Sequence, residues 1–292
     1  MSWLLLDVGN TAVKWAHSDA HGNRFVGTGI ELRMNTQPLA ERLANAWRVP
    51  RAKRAFGCSV ADHTTMEAIE QAARTAAGIP VTWLKAQPHF AGTGPGYGLA
   101  LINAYREPEQ LGADRWHAMI AACAKFPGES LVVASSGTAT TIECVRGEPN
   151  AAAVFVGGVI APGADLMHES LARGTARLPD VRYVIDGQVV AHPDNTDDAI
   201  VTGVFHAQAG MIERVTRAFA DELAEDDRPA PRLLLAGGRA RALLATLEKR
   251  LRDECAPPLV AGITIEDNLV LRGVALRAHA EMVAAKTNAE PR

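Results

Sequence analysis

The sequence predicts a mixed α/β protein built from two related halves. Residues 4–30 hold three strand-like runs joined by tight turns, and helix–strand alternation follows, the order of a mixed sheet with helices on it. One pattern occurs twice, around residue 7 and around residue 137: apolar strand, glycine-centred polar turn, apolar strand. The length of 292 residues leaves room for two domains, at about 150 residues each.

Leu4-Leu5-Leu6 is the first apolar run. Asp7-Val8-Gly9-Asn10-Thr11 turns the chain, and residues 12–16 resume the apolar character. Gly9 and Asn10 tolerate the positive φ angles of tight hairpin turns. Asp7 is the unusual residue, a carboxylate ending a buried-type strand. It either caps the turn or reaches the hydrated Mg²⁺ of a phosphate held on the turn's N–H groups.

A third strand is expected over residues 24–30, and a helix over 37–47, where Leu39, Leu43 and Trp47 share a face. A short strand at 55–58 precedes a helix over 64–77, with Ser59 and Asp62 as candidate caps, and a strand at 81–84 follows. Residues 91–98, Ala-Gly-Thr-Gly-Pro-Gly-Tyr-Gly, exclude regular structure and read as a functional loop. No strand-to-helix context makes these glycines a dinucleotide fingerprint, and no G-x-x-x-x-G-K-[ST] phosphate loop is present. A helix opening at Gly112-Ala113-Asp114-Arg115-Trp116 puts Asp114 and Arg115 in its first turn. The helix dipole favours Asp there and disfavours Arg, so Arg115 points to a partner: a carboxylate ligand or a surface ion pair.

Residues 130–134 form a strand, Ser135-Ser136-Gly137-Thr138-Ala139-Thr140-Thr141 repeats the polar turn, and 142–145 return as a strand. Residues 154–160 are a strand interrupted by Gly157-Gly158, and Pro162-Gly163 opens a helix through Leu166, Met167 and Leu171. Thr196 is the expected N-cap of a long helix with Asp197 and Asp198 in its first turn. Ile200, Val204, Ala207, Met211 and Val215 give that helix an apolar face, a candidate oligomer interface. Residues 222–231 read as a surface loop. A strand at 233–236 ends at Gly237-Gly238, an ordinary strand-to-helix turn or one that lets an adenine or ribose approach the backbone. A helix over 240–250, a strand near Val260, a helix capped by Asp267 or Asn268, and a polar tail from 286 complete the chain.

Hydrophobic residues make up 48% and charged residues 22%, ordinary for a globular core. A net charge of −3 argues against nucleic-acid binding on a broad basic surface. No apolar run reaches the roughly 20 residues of a membrane span. The first apolar run lacks a basic n-region, so no membrane association and a cytoplasmic location are expected. Cys58, Cys123, Cys144 and Cys255 are scattered without a C-x-x-C pair, so free thiols are expected rather than zinc ligands or disulfides.

Several segments, taken in order, resemble type III pantothenate kinases, some of which are known as Bvg accessory factors. They are Asp7-Val8-Gly9-Asn10-Thr11, Gly112-Ala113-Asp114-Arg115-Trp116, Gly137-Thr138-Ala139-Thr140-Thr141 and Gly157-Gly158-Val159-Ile160-Ala161-Pro162-Gly163. Asn195-Thr196-Asp197-Asp198-Ala199, Gly237-Gly238 and Asn268-Leu269-Val270-Leu271-Arg272-Gly273 extend the resemblance over nearly the whole chain. It implies an actin-like fold of the acetate and sugar kinase/Hsp70 superfamily. Two ribonuclease-H-like domains, residues 1–118 and 119–292, would flank a nucleotide cleft, with the last helix, near 267–285, free to pack back on the first domain. It also implies a homodimer that transfers the γ-phosphate of ATP to the primary hydroxyl of pantothenate. The product is 4'-phosphopantothenate, in the first step of coenzyme A synthesis.

The resemblance assigns roles as well. Asp7 holds Mg²⁺–phosphate, with Gly9, Asn10, Thr11 and Lys14 nearby. Asp114 is the general base toward the pantothenate hydroxyl, and an ionised carboxylate suffices for that. Arg115 pairs with the pantothenate carboxylate, and Tyr97, Gly112 and Ala113 line the pocket. Gly137, Thr138 and Thr140 cradle phosphate from the second domain. Thr196 reaches the neighbouring subunit's pantothenate. In the family, an Asp two residues before the second turn glycine helps hold K⁺ or NH₄⁺. Ser135 stands there in this chain and brings no charge, so a monovalent cation, K⁺ or NH₄⁺, at this position is left open both ways; Glu143 replaces an Asp after Thr-Thr-Ile. Two other classes stay open: a regulatory accessory protein using this fold as a binding module, and another small-molecule kinase or phosphatase of the same group.

Overall fold

The computed structural model describes residues 2–19, 22, 24–48, 51–92, 100–181 and 189–287. The chain divides into two compact units. Unit 1 comprises Met1–Pro127, Asn150–Phe155 and Asn268–Arg292; unit 2 comprises Gly128–Pro149 and Val156–Asp267.

Unit 1 is built on β1 (Trp3–Val8), β2 (Ala12–Ser18), β3 (Phe25–Leu32), β4 (Arg54–Ser59) and β5 (Val81–Trp83), in the order β3-β2-β1-β4-β5. β1 and β2 are an antiparallel hairpin with Asp7 opposite Lys14, while β4 runs parallel to β1 and β5 to β4. Successive side chains alternate across a sheet. Leu4, Leu6 and Val8 pack with Leu43 of α1 (Leu39–Ala46), with Trp47, and with Ile69 and Ala73 of α2 (His63–Ala77). Trp3 and Leu5 face the other way. With Phe56 and Cys58 of β4 they meet Ala113 of α3 (Ala113–Lys125) and Leu271, Val274 and Ala278 of α7 (Leu269–Thr287). The two-residue period places Asp7 on this second face, at the end of the Trp3–Leu5 stripe. α3 and α7 approach closely because residue 273 is glycine: a Cβ there would lie 1.8 Å from the His117 carbonyl oxygen.

β6 (His89–Ala91) and β7 (Ala100–Asn103) also belong to unit 1, β7 pairing in parallel with the first residues of β10 (Ala153–Pro162). These two strands, of three and four residues, are too short to show a period, and they stand on either side of the glycine-rich segment in sequence.

β10 continues into unit 2 beside β9 (Ala139–Arg146), and the order there is β10-β9-β8-β11-β12, with β8 (Leu131–Ser136), β11 (Arg232–Gly237) and β12 (Gly262–Ile265). β8 and β9 are antiparallel; β11 is parallel to both β8 and β12. The plan of unit 1 therefore recurs: a central strand with its hairpin partner on one side and parallel strands on the other. Val132, Ala134, Leu233 and Leu235 pack on α5 (Thr196–Glu225) and α6 (Ala240–Glu248) through Phe205, Ile212, Phe219, Leu243 and Leu247. α4 (Ala164–Gly174) follows β10.

Several expectations change. The second polar turn shortens to Gly137-Thr138, because Ser135, Ser136, Thr140 and Thr141 all carry ladder pairs. β10 runs through Gly157-Gly158 without interruption. Asn195, not Thr196, caps α5: its side-chain oxygen accepts the Asp198 N–H at 3.0 Å, and Thr196 becomes an exposed first-turn residue. Of the expected apolar face of α5, Ile200 and Val204 are buried, Met211 and Val215 lie at the margin and Ala207 is exposed; the buried stripe continues through Phe205, Ala209, Ile212, Thr216 and Phe219. α5 also extends to Glu225, into the expected loop, because Leu223 still reaches the core.

No helix among the described residues is long and apolar enough to cross a membrane. All four cysteines are free; Cys58, Cys123 and Cys144 are buried.

Candidate active site

In unit 1 the β1–β2 turn is closed by the Gly9 N–H donating to the Ala12 carbonyl (3.0 Å). Arg33 braces it from outside. Its Nη1 donates to the Asn10 carbonyl (2.7 Å), its backbone N–H donates to the Thr11 carbonyl (2.9 Å), and its Nη2 pairs with Asp62. Asp62 caps α2, as expected, by accepting the Thr65 N–H at 2.9 Å. That bond first, and Arg33 next, pull its carboxyl down to about 2. Nothing in the sequence marked Arg33, which lies 23 residues from the turn it holds.

Asp7 is 8% exposed. Burial pushes its carboxyl up from 3.8 to about 6; Lys14, with Nζ 3.9 Å from Oδ2, opposes the rise, and the Asp114 carboxylate adds to it. A buried carboxylate with one partly exposed lysine for company is a site suited to a cation. Mg²⁺ in particular binds through one or two carboxylates, keeping waters and substrate phosphates as its other ligands. Among the described residues, no group of three or more His, Cys, Asp and Glu could hold a metal by itself.

Asp114 reaches this place because Ala113, one residue earlier, is seated in the apolar face with Leu5 and Cys58. Its Oδ1 accepts the Arg115 N–H at 2.8 Å. His117, fully buried and held neutral by that burial (its pKa falls to about 4), steadies the same turn, with Nδ1 2.6 Å from the Ala113 carbonyl oxygen. Gly112 leaves the carboxylate its space: a Cβ there would lie 2.7 Å from Asp114 Oδ1. Since the far end of a side chain can swing away, Gly112→Ala is expected to fold normally and to lower kcat about tenfold by displacing Asp114. Unchanged kcat would show that the carboxylate's position is immaterial.

Arg115 is 7% exposed, so it is not a surface ion pair. Its Nη1 donates to the Tyr105 hydroxyl at 3.0 Å, and its guanidinium lies 5.6 Å and 6.0 Å from the ring centroids of Tyr105 and Phe155. Two aromatic faces thus hold a cation that water reaches little. Tyr105 and Phe155 escaped the sequence reading because they are isolated aromatics 50 residues apart. Tyr97, with the rest of residues 93–99, lies outside the described residues.

In unit 2 the tip of the β8–β9 hairpin repeats the closure of the first, the Gly137 N–H donating to the Ala139 carbonyl (3.0 Å). Ser135 stands two residues before its turn glycine, the place Asp7 holds in β1. Gly137 and Thr138 are exposed. Two other turns press on this tip backbone to backbone. The Gly163 N–H donates to the Thr138 carbonyl (2.9 Å), and a Cβ on Gly163 would lie 2.0 Å from the Gly137 carbonyl oxygen. A Cβ on Gly237, whose φ is 90°, would lie 2.1 Å from the Ser136 carbonyl oxygen. The tip therefore sits beside the N-terminus of α4, the kind of place where backbone N–H groups and the helix dipole receive a phosphate.

Thr140 does not join this exposed surface. It is fully buried, because alternation along β9 turns it inward, and its hydroxyl donates to Gln208 Oε1. Gln208 in turn donates to the Pro162 carbonyl at 2.9 Å, so the pair ties the hairpin to α5 and to the Pro162–Gly163 turn. Glu143 is also buried, on the same strand. Thr196 lies on a cavity of about 550 Å³ between α4 and α5, lined also by Met167, Leu171, Ile200 and Val204.

Residues 3–218 match the sequence model of the family described as type III pantothenate kinase. The chain is 38% identical to a type III pantothenate kinase of Herminiimonas arsenicoxydans, over 93% of this chain and 95% of that one. It is also 38% identical to one of Laribacter hongkongensis, over 93% and 96%. Among solved structures, it resembles the activator of the 2-hydroxyisocaproyl-CoA dehydratase from Clostridium difficile, with bound ADPNP. There the TM-score is 0.50 and the identity 11%, covering 100% of this chain and 99% of that one. At that identity the likeness shows the fold alone, in agreement with the fold that the family resemblance implied.

Proposed function

The chain belongs to the type III pantothenate kinase family, and from that membership we propose how its own residues carry the reaction. It is a kinase that phosphorylates pantothenate with ATP in coenzyme A synthesis. The observation that carries the residue assignment is Asp7, a buried carboxylate with its pKa raised to about 6 and coupled to Asp114.

Asp114 orients the primary hydroxyl of pantothenate and accepts its proton. The hydroxyl oxygen bonds to the γ-phosphorus as the bond from that phosphorus to the β–γ bridging oxygen breaks, and ADP leaves with the bond's electrons. Such transfers rest mainly on positioning and charge neutralisation. Asp7 would hold the Mg²⁺ of Mg²⁺–ATP, and the ion would supply charge neutralisation. Asn10, Thr11 and Lys14 serve the same phosphates from the first turn, Gly137 and Thr138 from the second. Thr140 acts through Gln208 as a positioning residue. Arg115, held by Tyr105 and Phe155, receives the pantothenate carboxylate, and Gly112 and Ala113 shape the acceptor side. The two units are the ribonuclease-H-like halves of this fold.

The cavity between α4 and α5, lined mainly by apolar residues, supports a homodimer through that face, with Thr196 directed at the partner's substrate. Free buried thiols fit a cytoplasmic location. With Ser135 in place of a carboxylate, exchanging K⁺ for Na⁺ is expected to change kcat by less than about twofold, since no charge selects the ion.

The decisive assay follows ADP release from Mg²⁺–ATP with and without pantothenate. Turnover that requires pantothenate is expected. Its absence, in K⁺ as in Na⁺, overturns the reading in favour of a binding module. A strict K⁺ requirement would mean that a group other than Ser135 holds the ion.

A further inference from the structure

The second phosphate turn has a charged neighbour that the assignment above does not use. β11 lies beside β8 in register, Ala236 opposite Ser135 and Gly237 opposite Ser136, so the Gly237-Gly238 turn stands abreast of the Gly137-Thr138 tip. The residue after it, Arg239, opens α6. On the other flank, Gly163 presses on the tip and Asp165 follows in the first turn of α4. Arg239 Nη2 donates to Asp165 Oδ1 at 2.7 Å, and the two partners are unequal: the arginine side chain is 16% exposed, the aspartate 67%.

We propose that Arg239 binds the polyphosphate of the nucleotide, and that Asp165 is an internal competitor whose carboxylate occupies the guanidinium until nucleotide displaces it. This rests on the kinase reading and deepens it.

Three features of the site support the exchange. The guanidinium is largely enclosed and beside a turn already shaped for an anion. The carboxylate it holds is mostly solvated, and such pairs are weak, so a rival anion loses little by breaking it. A polyphosphate carries more charge than one carboxylate and matches the guanidinium fork in two-point bonding. Asp165 also places negative charge at the N-terminus of α4, where it opposes an arriving phosphate while it stays. Nucleotide affinity is then set by the difference between two anions for one cation.

The test uses opposite signs. Mg²⁺–ADP is titrated into the whole protein by calorimetry, and KM is measured for ATP and for pantothenate. Arg239→Ala is expected to raise the Kd of Mg²⁺–ADP and the KM of ATP about tenfold, the loss of a charge-assisted hydrogen bond, with the KM of pantothenate unchanged. Asp165→Asn, which retains the shape, is expected to lower the Kd and the KM of ATP by about twofold or more. Arg239→Lys, which keeps the charge if the alanine variant folds poorly, is expected to fall between. A purely structural clasp predicts instead that both substitutions weaken nucleotide binding. That result overturns the proposal, as does Arg239→Lys or Arg239→Ala binding like wild type. Wild-type protein that binds Mg²⁺–ADP without phosphorylating pantothenate ends the kinase reading, yet leaves Arg239 and Asp165 judged by the titration. Wild-type protein that binds no Mg²⁺–ADP ends both.

Discussion

Asp114→Asn is expected to lower kcat by about 100-fold or more, the scale of a lost general base, while the KM of pantothenate stays near its wild-type value. Asparagine keeps the shape and keeps an oxygen to accept the Arg115 N–H, the bond that Asp114 makes at 2.8 Å. It fits the space left by Gly112. What it cannot do is take a proton from the hydroxyl. The variant should carry a second signature. The Asp114 charge helps to raise the Asp7 carboxyl. Its removal should move the acid limb of the residual kcat/KM profile to lower pH. A kcat near wild type removes Asp114 from the chemistry, and an unmoved acid limb breaks its link to Asp7.

Asp7→Asn separates activity from stability. The folded Asp7 carboxyl stands at about 6 against 3.8 when solvated, which at 1.36 kcal/mol per pKa unit means that burying its charge costs about 3 kcal/mol. The sign follows from the raised pKa. Below pH 4 the group is protonated whether folded or unfolded, and no penalty exists. The penalty grows as pH rises from about 4 to about 6 and is complete at neutral pH. A neutral asparagine avoids it. The variant is therefore expected to resist denaturant better than wild type at pH 7 to 8, by up to about 3 kcal/mol, and to converge with wild type near pH 4. It should nonetheless lose most of its use of Mg²⁺–ATP. In the wild type, nucleotide use should fall as pH drops through about 6, where Asp7 takes up its proton. A variant less stable than wild type at pH 7, or unchanged in its Mg²⁺ dependence, would contradict the assignment. His117 works in the opposite sense: burial lowers its pKa to about 4, so its contribution weakens as pH falls through 6.5 toward 4. The two groups offset each other in the wild type, and Asp7→Asn should expose the loss due to His117 as a steeper decline on acidification.

The repeated hairpin could be read from the sequence because strand–turn–strand is local. Leu4 to Ala16 and Leu131 to Val145 each declare their own period and their own turn glycine. Arg115 was conspicuous because its position in a helix first turn is electrostatically wrong, a local anomaly that the buried aromatic cage resolves. Other parts of the site are fixed by contacts far along the chain. Gln208 meets Thr140 across 68 residues and Arg33 meets Asp62 across 29. No window of sequence contains both members of either pair. Thr140 looked like a phosphate ligand because its neighbours Gly137 and Thr138 do, and only the ladder shows which of them face inward. Asn195 displaced Thr196 as the cap by a single residue, a distinction made by backbone angles rather than by residue type.

α7 completes the layer on Trp3, Leu5, Phe56 and Cys58, although it lies more than two hundred residues along the chain from them. Unit 1 is therefore discontinuous in sequence, whereas most of unit 2 is one uninterrupted stretch. On the ribosome, β1 is made first but must wait for residues after 268 before its carboxylate-bearing face is covered. Unit 2 has all of its segments before then. The emerging chain thus keeps one apolar face of the unit 1 sheet incompletely covered while its second half is made. A messenger cut short before α7 would yield a protein with a finished β8–β9 turn at Gly137 and no finished packing layer behind Asp114.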